Sequence, residues 1–242
     1  MINIFSKDEL RRYVWERMTE KQVAMFPLPI YGRIPNFKGA AEAAKKVFMT
    51  DIWQDSQYLK SNPDSPQKWI RQKALEEGKT VFMAVPRLRQ VKCFVKLNVP
   101  IELSKKAATI RGAFKYGVLV HPRDMPQIDL VIAGSVAVNP KCQRIGKGGG
   151  YSDLEYAIAR HFNLITQNTP IITTVHDLQV LNQEFELSPF DITLDMIMTP
   201  TRTLHGGMTL QRPPGILWKY LDEEKIENIP ILKELRAFKA EV

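Results

Sequence analysis

The sequence predicts an α/β fold built around a mostly parallel sheet. Three observations lead there. Strand-like and helix-like segments alternate along the chain, the run at residues 80–85 (T-V-F-M-A-V) reads as a buried strand, and a glycine-rich turn leads from strand-like sequence into a helix. With 242 residues, 44% of them hydrophobic and 25% charged, the chain can bury one sizeable core.

The elements follow in order. Ser6 and Glu9 have capping-box spacing, and Leu10, Val14 and Met18 recur at helical intervals, so a first helix is expected to about residue 22. A proline-broken stretch precedes Ala40, Ala43, Ala44, Val47 and Phe48, the stripe of a second amphipathic helix. Ser65-Pro66 opens a third by the N-cap and proline-at-N1 rule, and Gly78 is placed to end it. The strand at 80–85 is stopped by Pro86. Further strands are expected at 93–97, 129–138, 170–175 and 196–199, with helical insertions at 154–162 and 178–181. Residues 205–214 are rich in glycine and proline, which divides the chain into a domain at 1–204 and an extension at 205–242 packed upon it.

Charge and cysteine usage narrow the functional classes. The net charge of +8 suits anionic ligands such as nucleotide phosphates or an acidic substrate, and its even spread favours these over RNA. Cys93 and Cys142 are far apart and the four histidines are scattered, so neither a disulfide framework nor a zinc site is expected. No long apolar run is present, and residues 1–21 lack the apolar core of a secretory signal, so a soluble cytoplasmic protein is expected. Trp15, Trp53, Trp69 and Trp218 are expected in the core, and Arg87 and Arg89 on a solvated loop.

The chemistry concentrates at residues 144–153, R-I-G-K-G-G-G-Y-S-D. Four glycines occupy the five positions from Gly146 to Gly150, an entropic cost that serves a backbone of positive φ or one approaching a ligand closely. Ser152 with Glu155 has the spacing of a second capping box. A glycine loop that feeds a helix N-terminus gathers unpaired N–H groups at its positive end, and Arg144 and Lys147 add charge for a polyphosphate. The loop is neither a Walker A nor a dinucleotide fingerprint. Lys7 and Arg11, at i and i+4, project from one side of the first helix.

Taken together, K-x-x-x-R near the N-terminus, the R-I-G-K-G-G-G-Y-S-D loop and a late aspartate before a final strand resemble the 5-formyltetrahydrofolate cyclo-ligase (methenyltetrahydrofolate synthetase) family over about residues 5–200. I-P-N-F-K-G at 34–39, N-P-D-S-P at 62–66, V-P-R-L-R at 85–89 and R-P-P-G-I-L-W at 212–218 resemble its methenyltetrahydrofolate synthetase domain-containing branch. The resemblance implies a three-layer α/β/α fold of the NagB/RpiA/CoA transferase-like kind. It also implies ATP- and magnesium-dependent conversion of 5-formyltetrahydrofolate to the 5,10-methenyl form, in which the formyl oxygen attacks the γ-phosphate and N10 then displaces phosphate. ATP contacts are implied at Lys7, Arg11, Arg144, Gly146, Lys147, Gly148, Gly149, Gly150 and Tyr151. Substrate contacts are implied at Leu59, Asp64 and 147–151, magnesium ligation at Asp153 and Asp191, and roles close to the chemistry for Lys147 and Tyr151.

Three positions depart from the family pattern: Asp64 replaces a glutamate, Ser152 replaces a tyrosine, and an F-D-x-x-G ahead of Arg144 is missing. Parts that hold phosphate are therefore kept better than parts that hold the pterin. A nucleotide- or RNA-binding module of the same fold, without cyclo-ligase activity, is the alternative expectation.

Overall fold

Five parallel strands carry the centre of the molecule, and its polar chemistry collects where two of them end. The computed structural model of the chain describes residues 6–206 and 212–240; residues 207–211 of the glycine- and proline-rich stretch and the last two of the tail lie outside the described residues. A short antiparallel ribbon of β1 (Ala24–Met25) and β2 (Asn36–Phe37) precedes the main sheet. That sheet takes β3 (Tyr58–Ser61), β4 (Thr80–Ala84), β5 (Phe94–Leu97), β6 (Val118–Val120) and β7 (Leu130–Ile132). A second ribbon, β8 (Ala137–Val138) with β9 (Arg144–Ile145), interrupts it before β10 (Ile171–Thr174), β11 (Met196–Met198) and β12 (Thr203–His205) complete the sheet. The spatial order is β12-β11-β10-β7-β3-β4-β5-β6, with β11, β10, β7, β3 and β4 parallel and the remaining pairings antiparallel.

The helices cover both faces, giving three layers. One face packs against α2 (Ala40–Phe48), α3 (Asp51–Asp55), α4 (Lys68–Glu76), α5 (Ser104–Ala107) and α6 (Ile110–Tyr116), with Val47, Trp53, Ile70, Leu75 and Ala113 meeting Leu59, Val81 and Leu130. The other face packs against α7 (Tyr151–His161), α8 (Glu223–Asn228) and α9 (Pro230–Ala240), where Ile158, Ile226, Ile231 and Leu232 meet Phe82, Val131 and Ile171. Neighbouring strand residues divide between the two clusters, as the two-residue pleat requires. A third cluster seats α1 (Lys7–Glu20) on the second ribbon, with Leu10, Val14 and Met18 against Val136, Ala137 and Ile145.

The first helix is capped by Ser6 and Glu9 reciprocally, and α2 keeps its apolar stripe, both as expected. At Ser65-Pro66 a single turn of 3-10 helix, Ser65–Gln67, leads into α4. Four expectations are corrected. The long strand at 129–138 is broken after Ile132: the chain leaves the sheet, its Gly134 amide bonds to the Asn62 side chain, and its Gly134 carbonyl accepts from Arg144. Residues 178–181 form no α-helix; a 3-10 turn, Asp177–Gln179, capped by His176, takes that place. The N-cap of α7 is Gly150 rather than Ser152, because both members of the expected capping box are engaged elsewhere: Ser152 with Asn62, and Glu155 with Lys60 and Asn62. Trp53 is fully buried, but Trp69 is about half exposed.

The composition change at residue 205 falls inside β12, and beyond the undescribed stretch Arg212 is buried. Its guanidinium donates to the carbonyls of Gln167, Thr169 and Thr193 and pairs with Asp195 at 2.6 Å, fastening the C-terminal segment to the sheet. Cys93 and Cys142 are free and buried, and burial pushes their thiols up to about 12 and about 11.

Lys60 and Glu155 form an ion pair between β3 and α7 with both side chains sequestered from water. Replacing one member alone strands the other charge in a low-dielectric site, whereas an apolar pair removes the problem. Lys60→Met is expected to cost about 3–5 kcal/mol in urea denaturation, with much of it regained in Lys60→Met/Glu155→Met. Equal losses in the single and double variants would mean that the pairing does not matter.

Candidate functional site

The chain order of the parallel strands reverses between β3 and β7: β4 lies to one side of this pair, and β10 and β11 to the other. In open α/β sheets the crevice beyond the carboxyl ends of such strands is where ligands bind, because the connections diverge there and leave a gap. Residues 62–64 follow β3, and Gly134 follows β7. The Asn62 side chain ties these ends together, its Oδ1 accepting from the Gly134 amide at 3.0 Å and from the Ser152 hydroxyl at 3.1 Å while its Nδ2 donates to Glu155 at 2.8 Å. A Cβ at Gly134 would lie 2.8 Å from an Asp64 carboxylate oxygen and 3.1 Å from the Ile34 side chain, so any larger residue there would displace Asp64.

Arg71 fixes the other half of this junction. It is completely buried on α4 and donates to the carbonyls of Asn62, Pro63, Asp64 and Ala108. Burial pushes its pKa down to about 10, against the opposing pull of the Asp64 charge, so the guanidinium stays protonated at neutral pH.

The glycine loop lies between β9 and α7. Gly148 and Gly150 have φ of 103° and 66°, left-handed conformations that side chains resist, and Gly150 enters α7 as an N-cap with no side chain to satisfy the first amides. Packing of α1 on the ribbon delivers its cations here: Arg11 donates to the Gly146 carbonyl at 2.7 Å and pairs with Asp8 at 2.5 Å. Lys147 reaches Asp64 at 3.5 Å from a half-exposed position. Arg144 is buried beneath the loop and donates to the Gly134 carbonyl at 3.0 Å and to Asp153 at 3.1 Å. Asp153 also accepts from the Ile192 amide at 3.1 Å, so the segment bearing Asp191 lies against the start of α7. Asp191 pairs with Lys7, which also donates to Ser188 at 3.2 Å.

The structure thus gathers Lys7, Arg11, Asp64, Arg144, Gly146, Lys147, Gly148, Gly149, Gly150, Tyr151, Asp153 and Asp191 near the carboxyl ends of the central strands. Leu59 is not among them. It is buried in the core on the sheet face opposite α7, because its neighbour Lys60 takes the α7 side, so it stands apart from the other expected substrate contacts. Sequence reasoning missed Lys60, Asn62, Arg71, Gly134 and Glu155. For Arg71 a signal existed: an arginine within the apolar stripe of Ile70, Ala74 and Leu75. Next to the loop, a small cleft, partly open to solvent, separates α7 from the C-terminal segment; Gly150, Asp153, Leu154, Phe190, Tyr220 and Lys225 are among its lining.

The carbonyls of 62–64 depend on one guanidinium. Arg71→Met leaves several buried acceptors without a donor and is expected to destabilise the chain by at least about 3 kcal/mol, read from its urea midpoint and slope. A change within about 0.5 kcal/mol, the level of an ordinary surface substitution, would show that the loop holds itself.

Comparison with known proteins agrees with the fold. Residues 3–200 match the 5-formyltetrahydrofolate cyclo-ligase family. The chain is 40% identical over 236 residues to the methenyltetrahydrofolate synthase domain-containing protein of Bos taurus and 40% identical over 237 residues to that of Homo sapiens, 96% of this chain in each case. It spans 62% of the length of these relatives. The NMR structure of Aquifex aeolicus 5,10-methenyltetrahydrofolate synthetase superposes with a TM-score of 0.52 at 16% identity, covering 85% of this chain and 96% of that one, a likeness of fold. By the family match over most of its length, with the sheet and loop that accompany it, the chain belongs to the 5-formyltetrahydrofolate cyclo-ligase family.

Proposed function

We propose that the chain is a cytoplasmic, ATP- and magnesium-dependent cyclo-ligase that converts a 5-formyl reduced pterin to its 5,10-methenyl form. The observation that carries this reading is the glycine loop at the β3–β7 switch point, with Arg11 and Lys147 beside it and two carboxylates, Asp153 and Asp191, next to its end. Phosphoryl transfer to a formyl oxygen needs charge neutralisation and alignment more than covalent help from the protein, and the loop is suited to both. Its amides and the positive end of α7 would meet a polyphosphate, and the left-handed glycines would let the backbone come close.

Asp153 and Asp191 would hold magnesium. A magnesium ion keeps water and phosphate oxygens as most of its ligands, so two carboxylates are enough protein ligands for it. Only one oxygen of each carboxylate accepts a hydrogen bond from the described residues, leaving the other for a hard cation. Bound there, the ion would neutralise phosphate charge.

The remaining roles belong to the chain itself. Lys147, released from Asp64, would meet the phosphoryl group in flight, while Asp64 would accept from the pterin. Lys7, now paired with Asp191, would turn to phosphate as that carboxylate takes the metal. Tyr151, half-buried in the first turn of α7, would lie nearest the reacting formyl group.

A nucleotide-binding module without the chemistry is the second reading. It is favoured by the position of Leu59 in the core and by the use of Ser152 as scaffold. The test is methenyl absorbance with 5-formyltetrahydrofolate and magnesium ATP. Turnover is expected, and Lys147→Ala should lower it by about 10²-fold. Turnover insensitive to Lys147→Ala would remove the assignment of the loop, and ATP-induced thermal stabilisation without turnover would favour the second reading.

A further inference from the structure

The family match ends at residue 200, yet the segment beyond it returns to the glycine loop. Helix α8 is capped by Asp222, whose carboxylate accepts from the Lys225 amide at 2.6 Å and so fixes where the lysine stem departs. The Lys225 ammonium donates to the Gly149 carbonyl at 3.4 Å, lies 5.5 Å from the centre of the Tyr151 ring, and would be 3.2 Å from a Cβ at Gly150.

Its environment differs from that of the other cations here. Lys7, Arg11, Arg144 and Lys147 each pair with a carboxylate. Among the described residues Lys225 pairs with no carboxylate; a long hydrogen bond to a neutral carbonyl and the face of the Tyr151 ring are its partners. It is also held at the positive end of α7, where the dipole disfavours a cation and where Gly150 provides no side-chain cap. Asp153, the acidic residue of that first turn, is taken by Arg144. Two positive features thus lie side by side, and among the described residues no carboxylate pairs with Lys225, an arrangement that a negatively charged group would stabilise.

We propose that Lys225 is a further positioning residue for the bound nucleotide, a cation from the C-terminal segment that closes over the glycine loop and contacts the polyphosphate. The inference rests on the proposed nucleotide site and adds to it a residue outside the family's core. The C-terminal segment is then one wall of the site, and the cleft between Tyr220 and Leu154 is the space it encloses beside the phosphates.

Calorimetry on the full chain with magnesium and a non-hydrolysable ATP analogue, ADP or AMP tests this. Lys225→Met retains the stem and removes the charge. It is expected to weaken the ATP analogue by about ten-fold, the loss of one charge-assisted hydrogen bond, with a smaller effect on ADP and none on AMP. Lys225→Arg should restore most of the loss, and Lys225→Gln should repeat it. A purely structural strut would weaken all three nucleotides alike or lower only the unfolding midpoint, and either result overturns the proposal. Wild-type chain that binds the analogue no better than Lys225→Met overturns it too and leaves the function reading standing. Wild-type chain that binds no nucleotide overturns both.

Discussion

The polar junction where β3 and β7 end is the constraint on which the rest of the structure depends. Lys60, Glu155, Asn62, Ser152 and the Gly134 amide form one network inside a region otherwise closed to water. Such a network is costly unless every member is satisfied, and satisfying them leaves little freedom in how the elements meet. It fixes α7 against the sheet in one rotation, since Ser152 and Glu155 lie one turn apart on the helix and both must face Asn62. The helix start, and with it the glycine loop, is therefore placed by interactions below it and not by the loop's own conformational preference.

Above this junction the site is assembled from distant parts of the chain, each delivered by ordinary packing. Leu10, Val14 and Met18 bring α1 onto the ribbon, and the charged side of that helix then lies over Gly146. Arg144, buried under the loop, joins the β7 exit to Asp153 and through it to the backbone at Ile192. Arg212 performs the equivalent task for the C-terminal segment, spanning three carbonyls and Asp195. Three guanidiniums, at 71, 144 and 212, act as buried fasteners between loops that carry no regular backbone bonding, a use for which a planar multi-donor fork is well suited.

What the sequence revealed and what it hid follow the same physics. The capping box at Ser6, the stripe of α2, the run of β4 and the glycine loop were legible because their determinants are local. Strand β3, the centre of the sheet, was not, since Y-L-K-S puts a lysine and a serine where buried strands usually carry aliphatics; the partner that permits Lys60 there is Glu155, 95 positions along the chain. The local spacing from Ser152 made Glu155 look like a capping residue, because its distant partner leaves no mark near it in the sequence. The break after Ile132 was hidden because apolar residues resume at Val136 after only Gly134 and Ser135, and only the side chains of Asn62 and Arg144 reveal where the backbone groups of Gly134 find partners. The site cations were readable as residue types, whereas their internal partners were not.

Those internal partners have a consequence for how the site would treat ions in general. Lys7, Arg11, Arg144 and Lys147 are already balanced by Asp191, Asp8, Asp153 and Asp64. An incoming anion must outbid carboxylates that are tethered in place, so small monovalent or weakly charged species gain little by entering. Dissolved salt likewise finds few bare charges to screen, and recognition should vary less with ionic strength than the number of cations alone suggests.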